Sequence, residues 1–247
     1  MKSKKLVYIP ILLIYMMACS SSEPREGETA DIPAESDEKA LNGLTTAEKG
    51  EGWELLFDGE STQGWHNYLE EGITGWKVEG GILYTEGGNG DIVTDREFEN
   101  FELKVDWKIE DQGNSGVFYY VREATEYPRI HHTGPEFQII DDDNYPQELM
   151  DNQKTGSISD VKAPIAITSK VPGVWNHTRI LAKDGYVEHW FNGEKVAEAE
   201  MDSPEWKDLV SKSKFADFDY AKVQRGRIGL QDHGNPVAFK NIKIKIL

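Results

Sequence analysis

Between residues 101 and 109 the chain alternates without a break, with Phe101, Leu103, Val105, Trp107 and Ile109 set against Glu102, Lys104, Asp106 and Lys108. A period of two sends successive side chains to opposite faces, so this run predicts a strand with one face in a core. Runs of the same kind lie at 116–122, 136–140, 177–182, 187–191, 226–230 and 237–246. Between them stand turn signals such as Asp58-Gly59, Glu79-Gly80-Gly81, Gly87-Gly88-Asn89-Gly90, Asn192-Gly193 and Gly234-Asn235. Many short strands with little helix between them predict an all-β fold, a β-sandwich or jelly roll. One helical excursion is expected in 201–220, where Trp206, Leu209, Val210, Phe215 and Phe218 would cap one end of the sandwich. No repeat of fixed period occurs, which disfavours a propeller or solenoid.

Composition narrows the picture. Of 247 residues 38% are hydrophobic and seven are Trp, enough for a sizeable core. A net charge of -17 excludes nucleic acid as a partner, because phosphates require a basic surface. The single cysteine, Cys19, rules out an intrachain disulfide.

The first 19 residues stand apart from this pattern. Lys2, Lys4 and Lys5 precede a short apolar run that ends in Met16-Met17-Ala18-Cys19. That layout describes a secretory signal rather than a membrane span, which needs roughly 20 apolar residues. Its end resembles the lipobox of bacterial lipoproteins, where the cysteine is lipidated and becomes the mature N-terminus. The expectation is a chain lipid-anchored through Cys19 in the bacterial cell envelope, at the outer membrane, on its periplasmic or cell-surface side. Residues 20–51 are rich in Ser, Glu, Pro, Asp and Gly and predict a flexible acidic tether, with a short helical turn in 41–49. The jelly-roll domain is then expected over 52–247.

Candidate chemistry gathers at 133–144, TGPEFQIIDDDN. In a strand Glu136 and Gln138 share one face while Phe137 and Ile139 share the other. His131 and His132 precede it and Asp141, Asp142 and Asp143 follow. Imidazoles and carboxylates at strand ends bind divalent metals or move protons; the alternative is a solvated turn. Gln231 and His233 share a face in another strand, and His189 lies between Glu188 and Trp190 in a third.

Five stretches together resemble one family: LFDGESTQGW (56–65), GNSGVFYYV (113–121), TGPEFQIIDD (133–142), VEHWFNGEKV (187–196) and IGLQDHGNPVAFKNIKIK (228–245). They are similar to the 3-keto-disaccharide hydrolase domain family, whose members are also described as 3-keto-glucoside 1,2-lyases and 3-keto-2-hydroxy-glucal hydratases. The resemblance implies a concanavalin-like jelly roll whose concave sheet holds a small carbohydrate. It departs from the family at TGSISD, where Ser159 stands in place of an aromatic residue, so a sugar-stacking ring is absent or supplied elsewhere.

A ketone at C3 acidifies the C2 proton, and the resulting enolate expels the C1 substituent. Such chemistry needs a base at C2, a stabiliser for the enolate oxygen and an acid for the leaving oxygen. On this resemblance Glu136, His233 and His189 are the candidate catalytic residues. Glu136, His233 and, less favourably placed on its strand, Asp141 would ligate a divalent metal. Gln138, Gln231 and Asn114 would bind sugar hydroxyls, with Tyr119 or Tyr120 against the ring. The competing expectation is a non-catalytic carbohydrate-binding module.

Overall fold

The computed structural model describes residues 40–165 and 172–247. Two antiparallel sheets pack face to face. The larger has eight strands, in the order β11 (Glu194–Glu200), β10 (Tyr186–Phe191), β9 (Asn176–Lys183), β6 (Phe101–Ile109), β13 (Val237–Ile246), β4 (Ile82–Thr85) and β3 (Trp76–Glu79), with β1 (Trp53–Leu55) also paired to β13. The smaller has five, in the order β2 (Trp65–Asn67), β5 (Ile92–Thr94), β12 (Arg227–Leu230), β7 (Asn114–Val121) and β8 (Glu136–Ile140). The fold is an all-β jelly-roll sandwich with two short helices among the described residues, α1 (Thr46–Gly50) and α2 (Pro204–Lys212), the latter in the expected excursion.

The alternation seen in the sequence explains the packing. Phe101, Leu103, Val105, Trp107 and Ile109 of β6 point into the space between the sheets and meet Val117, Tyr119, Phe137, Ile139, Ile228 and Leu230 from the smaller one. Each such side chain contributes roughly 1.5–3 kcal/mol when fully buried. Trp107 stacks on Phe191, with ring centroids 5.8 Å apart and planes within 11°. Trp65 and Trp76 join the same core. Helix α2 starts at Ser203, whose side chain accepts from the Trp206 amide, and carries Pro204 in its first turn, where a missing N–H costs nothing.

The expected tether requires a correction at its C-terminal end. Residues 40–51 belong to the sandwich rather than to a flexible linker. Thr45 and Glu48 form a reciprocal cap on α1 (Thr46–Gly50), and Glu48 pairs with Lys243, buried on β13. Asn42 and Asn241 exchange amide hydrogen bonds at 2.8 and 2.7 Å, both buried. A small polar residue with such a partner fixes the chain as firmly as an apolar one. The expected signal, Cys19 and the tether up to residue 39 lie outside the described residues.

Candidate active site

One face of the smaller sheet is core, and the other carries the candidate chemistry. Part of that outer face is apolar: Val93, Phe118 and Val121 are covered by Ile130 from a single 3-10 turn, Ile130–His132. The rest lines a cavity of two lobes, each about 360 Å³. Glu136, Lys214, Gln231 and His233 line both lobes.

Glu136 leaves β8 beside Gly116 of β7. A Cβ at position 116 would stand 1.9 Å from Glu136 Oε1, so the missing side chain is what lets the carboxyl lie against the sheet. Glu136 is 5% exposed, and Oε1 has no hydrogen-bond partner. Burial pushes its pKa up to about 8, opposed by the Lys214 charge and a hydrogen bond from Ser159, and reinforced by Asp91 and Asp160. A carboxyl in that state holds its proton at neutral pH and can donate it.

Lys214 arrives just after α2 ends at Lys212. Its ammonium pairs with Asp160, whose other carboxylate oxygen accepts from Gln153 Nε2 at 2.7 Å. Asp160 sits at φ 58, a left-handed conformation that Asp tolerates better than most residues. Neighbouring Phe215 is buried and stacks on Tyr220 at 4.2 Å, which fixes the segment from below.

His233 follows β12 in a loop pinned by Asp232. The Asp232 carboxylate accepts from the Gly88 and Asn89 amides, both at 2.8 Å, and from the Thr85 hydroxyl at 3.1 Å. The two loops approach so closely that a Cβ on Gly87 would meet Gly234 O at 2.5 Å. Partial burial lowers the His233 pKa, reinforced by the charge of Lys214 and opposed by that of Asp232, so the imidazole is neutral at pH 7 and has a lone pair free to accept a proton.

Four residues that line the cavity carry a buried side-chain oxygen without a partner: Asn114 Oδ1, Glu136 Oε1, Gln138 Oε1 and Gln231 Oε1. Buried acceptors are almost always satisfied in folded proteins, so such a group of orphans marks a place that awaits donors. Sugar hydroxyls are donors of this kind. An aromatic ring is present too: Tyr145 lines the first lobe and its hydroxyl accepts from Asn114 Nδ2 at 3.2 Å. Ser159, where an aromatic was missed, lies under Glu136 instead.

Glu136, His233, Gln138, Gln231 and Asn114 therefore converge on one cavity, and four expected residues do not. His189 is wholly buried between the sheets. Its Nδ1 donates to Gly156 O and its Nε2 accepts from Tyr119 Oη, both at 3.1 Å, and burial lowers its pKa to about 4. Tyr119 and Tyr120 fill the core, each at most 1% exposed, where no sugar can reach them. Asp141 caps a turn, accepting from the amides of Gln112, Asp143 and Asn144, which holds its pKa below the usual range.

The expected metal set is consequently not assembled. Among the described residues no three of His, Cys, Asp and Glu converge to hold a metal ion. Around Glu136 and His233 stand amide oxygens, the carboxylates Asp91 and Asp160 and the cation Lys214, and the ammonium pairs with Asp160 where a divalent ion would need that charge. What sequence reasoning missed is Lys214 and two further carboxylates, Asp160 and Asp91. Burial raises Asp91 to about 6 although it accepts from the Asp232 amide at 2.9 Å.

Comparison with known proteins places this architecture. The family described as the 3-keto-alpha-glucoside-1,2-lyase-like domain matches residues 52–245. The chain belongs to that family. Among its relatives is a 3-keto-disaccharide hydrolase of Bacteroides thetaiotaomicron, 29% identical, the match covering 94% of each chain. Among solved structures, a glycosyl hydrolase candidate from Parabacteroides distasonis is 44% identical with a TM-score of 0.81, covering 84% of this chain and all of the other. A second from the same organism is 30% identical with a TM-score of 0.61, covering 79% and 99%. The family match spans every residue that lines the cavity.

Proposed function

We propose that this chain cleaves 3-keto-glucosides by removing the C2 proton, eliminating the C1 substituent and adding water back. The observation that carries the reading is the protonated, buried Glu136 beside neutral His233 and cationic Lys214. The family description and the activity in the relative's name support the same substrate class.

His233 takes the C2 proton. The electron pair left behind forms the C3 enolate, and Lys214 stabilises its oxygen as a fixed cation in a site partly shielded from water. Collapse of the enolate breaks the bond from C1 to its oxygen, which receives the Glu136 proton. Water then adds at C1, giving one proton to the Glu136 carboxylate, while the His233 imidazolium, whose N–H exchanges with solvent once the alcohol has left, protonates C2. Both residues regain their starting states and the net reaction is hydrolysis. Ordinary glycosidases need a pair of carboxyls at set spacing across the bond; here the second charged partner is a lysine. The enzyme acts from the cell envelope, tethered by a lipid on Cys19.

The test is turnover of a 3-keto-glucoside in deuterated water, with and without chelator. Aglycone release with deuterium at C2, unaffected by chelation, is expected. Binding without release or exchange would favour a carbohydrate-binding module, and loss on chelation with recovery on adding a divalent ion would restore a metal to the site.

A further inference from the structure

The two lobes differ in how their polar groups are satisfied. In the first, Asn114 Oδ1 and Gln138 Oε1 are buried without partners, and Glu136 Oε1 and Gln231 Oε1 join them where the lobes meet. The buried polar groups of the second lobe are already paired, and the exposed Glu70 and Arg129 of its lining stay in water. Asn67 Oδ1 accepts from the Thr74 amide at 2.6 Å and its Nδ2 donates to Asn89 O at 3.0 Å. Tyr68 Oη donates to Tyr127 O at 2.7 Å, and Asp91 accepts from the Asp232 amide at 2.9 Å. Among the described residues, none that lines only this lobe carries a buried unpartnered side-chain atom.

This difference bears on specificity. A buried acceptor left unpaired by an incomplete ligand carries a desolvation penalty, and sites built around hydroxyl recognition reject analogues that lack the hydroxyl. A wall whose buried groups are paired, and whose unpaired ones are exposed to water, makes no such demand. Each lobe, at about 360 Å³, lies near the lower end of the roughly 300–1,000 Å³ typical of small-molecule sites and suits one ring-sized group.

We infer that the first lobe holds the 3-keto ring and selects it through its hydroxyls, whereas the second receives the leaving alcohol and discriminates weakly among alcohols. The assignment rests on the elimination reading above and adds the specificity that reading does not contain. It also suits the chemistry: the ring must be held through two half-reactions, while the alcohol must depart between them.

The test uses the intact chain and two substrate series. In one the 3-keto ring is constant and the leaving group is always a primary alcohol: a short alkoxyalkyl group, glucose through O6 or mannose through O6. In the other the leaving group is constant and the ring loses its 4- or 6-hydroxyl. Values of kcat/KM should vary by less than about tenfold across the first series and fall by about 10–100-fold in the second. Gln138→Leu should be penalised on the full ring, with no further loss on the deoxy ring whose hydroxyl it serves. A wider spread among leaving groups than among rings would overturn the assignment while leaving the elimination reading in place. Absence of turnover with every compound would overturn the elimination reading and the assignment with it.

Discussion

Glu136→Gln removes a proton donor while keeping shape and volume. With a pKa of about 8, the carboxyl is roughly nine-tenths protonated at pH 7, so the wild type runs with its acid loaded. General acids of this kind contribute about 100- to 10,000-fold, and turnover of the variant should fall by that factor. Stability should move the other way. The folded pKa lies above the ordinary 4.5, so between those values the folded chain holds a proton that the unfolded chain has lost. That stabilisation is fully present below pH 4.5 and is lost as pH rises through the folded value, at up to about 1.4 kcal/mol per pH unit. From pH 6 to 8 the wild type should lose about 2 kcal/mol more than the variant does. Denaturant midpoints at both pH values, alongside aglycone release, measure the two effects. Turnover within about threefold of wild type, or identical pH slopes in the two proteins, would refute the role and the burial argument respectively.

Lys214→Met should lower kcat by about 100- to 1,000-fold, the usual cost of losing an oxyanion donor, with little change in melting temperature because the side chain is 57% exposed. Gly116→Ala puts a methyl 1.9 Å from Glu136 Oε1; displacing the carboxyl should cost about 100-fold in kcat/KM and move the alkaline limb of its pH profile. His189→Ala should destabilise the fold by about 2–4 kcal/mol, read by thermal melts, through a cavity and an unpaired Tyr119 hydroxyl. Its kcat should stay within about threefold of wild type; a large loss in a stably folded variant would return His189 to the chemistry.

The long strands were legible because alternation needs length to show. The runs at 136–140 and 237–246 coincide with β8 and β13, and the run at 101–109 with β6. The three- and four-residue strands β1 to β5 hold at most two periods, too few to separate from turns. Strand β11, EKVAEAE, has Val196 as its only strong strand former and takes its state from pairing with β10. In the site the face-sharing pair Glu136 and Gln138 was readable on β8, whereas Gln231 and His233, expected to share a strand face, lie past the end of β12 at Leu230 and reach the cavity from the loop that follows it. His189, Tyr119 and Tyr120 were misplaced because strand polarity says which residues share a face, not whether that face meets the other sheet or solvent. For Tyr120 the alternation itself fails: within β7 it sits at φ 57, opposite a register shift against β12, and it joins the core together with its neighbour Tyr119. Lys214 had no periodic signature: its position depends on where α2 stops and on Asp160, 54 residues earlier in the chain.

Partnership of polar groups separates site from scaffold better than residue type does. Asp141, Asp232, Asn42 and Asn241 are as polar as anything in the cavity, yet each is bound by donors from its own chain. Substitution of Asp141, Asn42 or Asn241 should loosen a loop or strand without altering chemistry selectively, whereas loss of Asp232 should act through the loop that carries His233. The oxygens of Asn114, Glu136, Gln138 and Gln231 have no such donors, and each buried orphan costs about 1–3 kcal/mol relative to a satisfied group. A fold selected for stability alone would pair them or replace them with apolar residues. Four of them stand around one carboxyl held protonated by its surroundings, an arrangement that a hydroxylated ligand would complete by supplying the missing donors.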